Sequence, residues 1–210
     1  MRYKYAVFDW DGTLADTFPI ILAAYDYAFE KLKLKKVADD ELKRILGTLQ
    51  NKDVLEYVFG KDKSKAAEYF YEYINENHDK NLKPLPGAKE LLEFCQKAGV
   101  ESYLITNKKT KFINQELSLL GFDKYFKKVV AAGEYDEDKP HPLACQALFD
   151  YKLPKAKEIV VIGDGEADVK TAQALNGADC IIFDPLHKYK GVSPTYKIDF
   201  LNQAEKILEE

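Results

Sequence analysis

Five short runs of branched and aromatic residues set the frame for this chain. They are Tyr5–Phe8 and positions 102–105, 129–132, 159–162 and 180–183. None shows much polar alternation, which is the pattern of strands covered on both faces in a parallel sheet. Helical patterns lie between them. Pro86-Gly87 opens one, with Leu91, Leu92, Phe94 and Cys95 on its inner side and Gly99 after its end. A second carries Phe112, Ile113, Leu117 and Leu120 before Gly121, a third spans about 141–151, and a fourth about 166–175. A last helix spans about 200–208 after a loop-like stretch, 185–194, that holds Lys188, Lys190 and Gly191. Strands alternating with helices predict an α/β fold: a Rossmann-like parallel sheet sandwiched by helices, with right-handed crossovers.

Residues 16–85 break that rhythm, with helical spacing and no strand. Ile21, Ala24, Tyr25, Ala28 and Leu32 share one face. Leu42, Ile45 and Leu46 follow Asp39, read as an N-cap, and Gly47 ends that helix. Val54, Leu55, Val58 and Phe59 run from Asn51 to Gly60, and Ala67, Phe70, Tyr71 and Ile74 mark a longer helix. The prediction is an inserted all-α, four-helix domain over 16–85, with the α/β domain formed by 1–15 and 86–210. Its aromatics, Tyr25, Tyr27, Phe29, Tyr57, Phe59, Tyr69, Phe70, Tyr71 and Tyr73, read as bundle core rather than a binding box.

Charge and cysteine content exclude several classes. With 31 basic and 35 acidic residues the net charge is -4, so no nucleic-acid partner is expected. No run approaches the roughly 18 apolar residues of a membrane helix. Met1–Tyr5 has neither an apolar h-region nor a small-residue cleavage site, so the expectation is a cytoplasmic protein. Cys95, Cys145 and Cys180 form no CxxC pair or zinc spacing. They read as small core residues in a reducing compartment, with a catalytic thiol as the alternative.

Chemistry concentrates in Asp9-Trp10-Asp11-Gly12-Thr13, directly after the first strand. In α/β sheets ligands bind beyond the carboxyl ends of the strands. If the extended backbone persists past Phe8, Asp9 and Asp11 project together and Trp10 away from them. Two adjacent carboxylates repel, which separates their proton affinities unless a cation lies between them. Such a pair suits a nucleophile, Asp9, and an acid/base, Asp11; the competing reading is a polar turn with Asp caps. Asp164 and Asp168, four apart at a strand end and helix start, can face one site as hard oxygen donors suited to Mg²⁺. Thr106-Asn107 ends the second strand with groups able to bond phosphate oxygens, though Thr-Asn also starts helices. Lys139 sits in a loop stiffened by Pro140 and Pro142, and His141 reads as a helix-start residue.

These four segments, in this order, resemble the haloacid dehalogenase-like hydrolases over the whole chain, above all the helical-cap phosphatases of the phosphoglycolate phosphatase type. The resemblance implies a Mg²⁺-dependent phosphatase of a small phosphorylated metabolite, acting through an aspartyl-phosphate as a monomer or homodimer. It implies Asp9 as nucleophile and Asp11 as acid/base. Thr106, Asn107 and Lys139 are implied as phosphate-binding, with Thr106 and Lys139 also catalytic. The implied metal ligands are Asp164, Asp168 (directly or through water), the Asp9 side chain and the Asp11 carbonyl. Many relatives carry Ser or Thr where this chain has Gly165, which removes one hydrogen bond. The leading single substrate is 2-phosphoglycolate, with the inserted domain setting preference about hinges near 15–16 and 83–87. Two alternatives stay open: a phosphomutase of the β-phosphoglucomutase type, against which Thr13 leans because mutases often carry Val there, and a non-enzymatic phosphate-binding module. A dehalogenase needs neither Asp11 nor Asp164.

Overall fold

The computed structural model describes residues 1–46, 51–80, 82–187 and 189–210. The chain divides into two compact units, Met1–Asp16 with Lys83–Glu210, and Thr17–Leu82.

The first unit is built on six parallel strands. These are β1 (Tyr5–Phe8), β2 (Glu101–Lys109), β3 (Phe126–Ala132), β4 (Ile159–Gly163), β5 (Asp179–Phe183) and β6 (Tyr196–Ile198). Their order is β3-β2-β1-β4-β5-β6, a doubly wound arrangement whose direction reverses beside β1. Tyr5 of β1 pairs with Glu101 on one side and Ile159 on the other, and Phe8 with Leu104 and Ile162. Alternate side chains supply the two faces of the core. Val7, Tyr103, Ile105, Val161, Cys180 and Ile182 pack with the helices α7 (Pro142–Ala147) and α8 (Glu166–Ala174). Helices α5 (Ala88–Ala98), α6 (Thr110–Leu120) and α9 (Gln203–Glu209) complete the unit. The ends of α5 and α6 fall where glycine permits a left-handed cap, at Gly99 (φ 74°) and Gly121 (φ 65°).

Several details differ from the sequence reading, among them the starts of β3 at Phe126 and of α9 at Gln203. A sixth strand, β6, lies between the loop-like stretch 185–194 and the last helix, where the sequence predicts no element, because three residues with one buried side chain give no periodic signal. The third helix stops at Ala147 instead of 151, since Asp150 (φ 49°) and Tyr151 (φ 61°) have left-handed backbones that a helix cannot contain. Strand β2 continues past Asn107 to Lys109 through an irregularity: Ile105 pairs with Val130 but Lys109 with Ala132. Thr106, Asn107 and Lys108 therefore lie in a bulge, a device that re-aims side chains beside sites.

The second unit is helical: α1 (Phe18–Leu32), α2 (Asp39–Leu46), α3 (Asn51–Phe59) and α4 (Lys63–Asn77). Asp39 is not the N-cap of α2. It lies in the first turn with Asp40 and Glu41, where negative charge favours the helix dipole, and Ala38 carbonyl accepts from Leu42 N–H. The helix stop read at Gly47 lies outside the described residues. Tyr25, Phe29, Phe59 and Phe70 are buried against one another, with Tyr25 and Phe70 rings 4.9 Å apart and Phe29 and Phe59 rings 4.6 Å apart. Tyr57 is 65 % exposed and lies outside that core, while Tyr27, Tyr69, Tyr71 and Tyr73 are half-buried.

Asp16 at one end, and Lys83, Pro84 and Leu85 at the other, belong with the α/β unit, not the insert. Backbone bonds tie the two ends together: Asp16 N–H donates to Lys83 carbonyl (2.9 Å), Leu85 N–H to Leu14 carbonyl (2.9 Å), and Ala15 bridges Pro84.

Candidate active site

Beyond Phe8 the chain leaves the sheet in a tight turn. Trp10 carbonyl accepts from the N–H groups of Thr13, Leu14 and Ala15, and Gly12 adopts φ 77°, which a side chain would resist. Asp9 N–H still bonds Ile162 carbonyl (2.9 Å), which fixes Asp9 at the mouth between β1 and β4. Its carboxylate is nearly buried. Oδ1 meets Lys139 Nζ at 2.7 Å, and Oδ2 accepts from Thr13 Oγ1 at 3.3 Å.

Lys139 follows β3 and is 3 % exposed. Besides Asp9 it pairs with Asp168 Oδ1 (2.5 Å) and bonds Ile105 carbonyl (3.3 Å). Burial acts to lower its pKa, but Asp168 and Asp9 outweigh that and hold it charged. His141 starts α7, its Nδ1 accepting from Leu143 N–H at 3.2 Å.

After β4, Asp168 turns back on its own helix start. Its Oδ2 accepts from Asp164 N–H (3.1 Å) and Gly165 N–H (2.9 Å), so both carboxylate oxygens are engaged. Asp9, Asp164 and Asp168 each offer an oxygen within 4.8 Å of the others. Burial, then the neighbouring Asp9 and Asp168, pushes the Asp164 carboxyl well above the usual range. Burial likewise raises Asp9, to about 7, against the pull of Lys139. Three converging oxygens whose negative charge is under-compensated fit a hard divalent cation such as Mg²⁺.

Asp11 lies a short way off, half-buried, with Oδ1 2.6 Å from Lys108 Nζ. Thr106 Oγ1 accepts from Lys108 N–H (3.1 Å) and keeps its own proton to donate. Asn107 Oδ1 is buried with no hydrogen-bond partner among the described residues. All seven residues singled out in the sequence thus lie at the carboxyl ends of β1, β2, β3 and β4, in the loops that follow or, for Asp168, in the first turn of α8.

Two residues escaped sequence reading. Lys108 stands among many lysines with nothing to distinguish it. Glu116 carried a signal: it falls four residues after Phe112 and three after Ile113, on the apolar face of α6, and is fully buried. It takes Lys108 Nζ on both oxygens (2.9 and 2.8 Å) and Trp10 Nε1 on Oε2 (2.6 Å). Burial works to lower the Lys108 pKa, yet Asp11 and Glu116 together raise it.

Comparison with known proteins agrees with this architecture. Residues 6–182 match the family model described as haloacid dehalogenase-like hydrolase. A phosphoglycolate phosphatase of Vibrio parahaemolyticus is 28% identical over 201 residues, covering 91% of this chain and 87% of that one. A protein of Caldanaerobacter subterraneus with a provisional pyrophosphatase name, PpaX, is 28% identical over 219 residues, covering 100% and 96%. Among solved structures, YfnB of Bacillus subtilis, described with bound magnesium and interdomain movement, shares the fold. It has a TM-score of 0.75 at 23% identity over 100% of both chains. The chain belongs to the haloacid dehalogenase-like hydrolases, and the two curated relatives above carry phosphatase and pyrophosphatase names.

Proposed function

We propose that the protein is a phosphatase that hydrolyses a small phosphomonoester through an aspartyl-phosphate on Asp9, with Mg²⁺ as its cation. The observation that carries this reading is the environment of Asp9: a strand-end carboxylate with one oxygen on Lys139 and two further carboxylates within 4.8 Å. Asp9, Asp164 and the carbonyl of Asp11 would hold the cation. Asp168, with both oxygens already engaged, fits contact through a water. When bound, the cation would supply positive charge to offset that on the transferring phosphoryl group.

Asp9 attacks phosphorus in line, and Asp11 gives its proton to the departing oxygen. Asp11 then takes a proton from a water, which hydrolyses the acyl phosphate and restores Asp9. Lys139, Thr106 and Asn107 bind the phosphoryl oxygens as charge builds on them. Lys139 does this from a position fixed by Asp168, so little reorganisation is needed.

The inserted helical unit is read as the element that selects substrate, because it enters the chain directly after the Asp9–Thr13 turn. By the names of the relatives, 2-phosphoglycolate is the first substrate to try and pyrophosphate the second. The test is phosphate release from a panel holding both, with hexose phosphates and nucleotides, in Mg²⁺ and in EDTA. Metal-dependent release that Asp9→Asn loses supports the reading. Isomerisation of a sugar phosphate without net phosphate release would replace it with a mutase.

A further inference from the structure

Glu116 takes no part in the chemistry above, yet it is a carboxylate with no exposure on the apolar face of α6. Burying a carboxylate is costly unless it is paired and hydrogen-bonded. Here the partners both lead to one place. Trp10 Nε1 donates to Oε2 at 2.6 Å, and Trp10 is the chain neighbour of Asp11. Lys108 Nζ lies 2.9 and 2.8 Å from the two Glu116 oxygens and 2.6 Å from Asp11 Oδ1. Helix α6 therefore grips the Asp9–Thr13 turn twice, by the indole beside Asp11 and by the lysine on its carboxylate.

The charge count shows why a second carboxylate matters. A Lys108–Asp11 pair alone would be two flexible side chains free to move together. Glu116 is rooted in a helix and anchors the ammonium from the other side, with charge-assisted bonds to both of its oxygens. Acid catalysis depends steeply on the position of the proton donor.

We propose that Glu116 is a positioning residue that, through Lys108 and Trp10, holds the Asp11 carboxyl where it can protonate the leaving oxygen. The proposal rests on the reading of Asp11 as the acid/base. A merely structural Glu116 would tie α6 to Trp10 and affect all substrates alike, whereas a positioning Glu116 affects those that need the proton.

The experiment compares kcat/KM for an aryl ester, 4-nitrophenyl phosphate, with that for an alkyl ester whose alkoxide cannot leave unprotonated. It uses the full chain with Mg²⁺, and the alkyl ester is the best one found in the panel above. Glu116→Gln and Lys108→Met should each lose about tenfold or more on the alkyl ester and less than about threefold on the aryl ester. Trp10→Phe should give a smaller loss with the same preference, and Glu116→Asp should recover part of the alkyl activity. Equal losses on both esters, or no loss, in variants with the parent's circular dichroism overturn the proposal. If Glu116→Gln does not fold, Trp10→Phe carries the same comparison, since it keeps the buried Glu116–Lys108 pair intact. Asp11→Asn is run beside them. If Asp11→Asn itself shows no preference between esters, the acid/base reading fails and takes this proposal with it. If Asp11→Asn shows the preference and the Glu116 and Lys108 variants do not, only the positioning role fails.

Discussion

A methyl group on Gly163 would stand 1.9 Å from Cγ of Asp168, deep inside contact distance. The Asp168 carboxylate occupies that space because it folds back onto the N–H groups of Asp164 and Gly165 while reaching Lys139. Gly163→Ala should therefore cost about 1–3 kcal/mol and displace Asp168 from Lys139, because a packed neighbour must move. Urea unfolding measures the first effect and phosphate release the second. A variant as stable and as active as the parent would show that Asp168 is free to shift.

Asp9→Asn should lower kcat by at least about a thousandfold, since an amide is no nucleophile for phosphorus. The fold should survive, because the amide oxygen still accepts from Lys139. Single-turnover phosphate release from the purified variant decides this, and substantial residual turnover would assign the nucleophile elsewhere.

Asp164→Asn separates the metal from the fold. Without added metal the variant should be at least as stable as the parent, because a neutral amide removes repulsion from Asp9 and Asp168. With Mg²⁺ at a hundred times its Kd the parent should gain about 2.7 kcal/mol and the variant much less. Thermal melts with EDTA and across a Mg²⁺ series test both halves. An equal Mg²⁺ shift in both proteins would move the cation away from Asp164.

All three cysteines are buried and none is in a disulfide. Burial pushes the thiols up, Cys145 to about 11 and Cys95 to about 12, and raises Cys180 as well. Ellman's reagent at pH 8 should find no fast-reacting thiol in the native protein and three after denaturation. One fast native thiol would contradict the core assignment.

Much of this was legible in the sequence, for reasons visible in particular residues. Strands β1, β2, β4 and β5 are covered on both faces, so Val7, Leu104, Val161 and Ile181 sit in unbroken apolar runs. Asp9, Asp11, Asp164 and Asp168 stood out because they form two pairs, two and four positions apart, just after such runs. What stayed hidden depends on contacts distant in sequence. Glu116 meets Trp10 across 106 positions, and no local period reports such a pair. The bulge at 106–108 was equally silent, since it exists only in the pairing of β2 with β3.

The bonds that join Leu14 and Asp16 to Leu85 and Lys83 have a bearing on how the chain is assembled. They bring the two ends of a long excursion side by side, so the α/β unit closes its own backbone whatever lies between. Loop-closure entropy grows only slowly with length. At this doorway the sheet is indifferent to the size of its passenger, and residues 17–82 are a cassette that a lineage could lengthen, shorten or exchange without redrawing the six strands of the α/β unit.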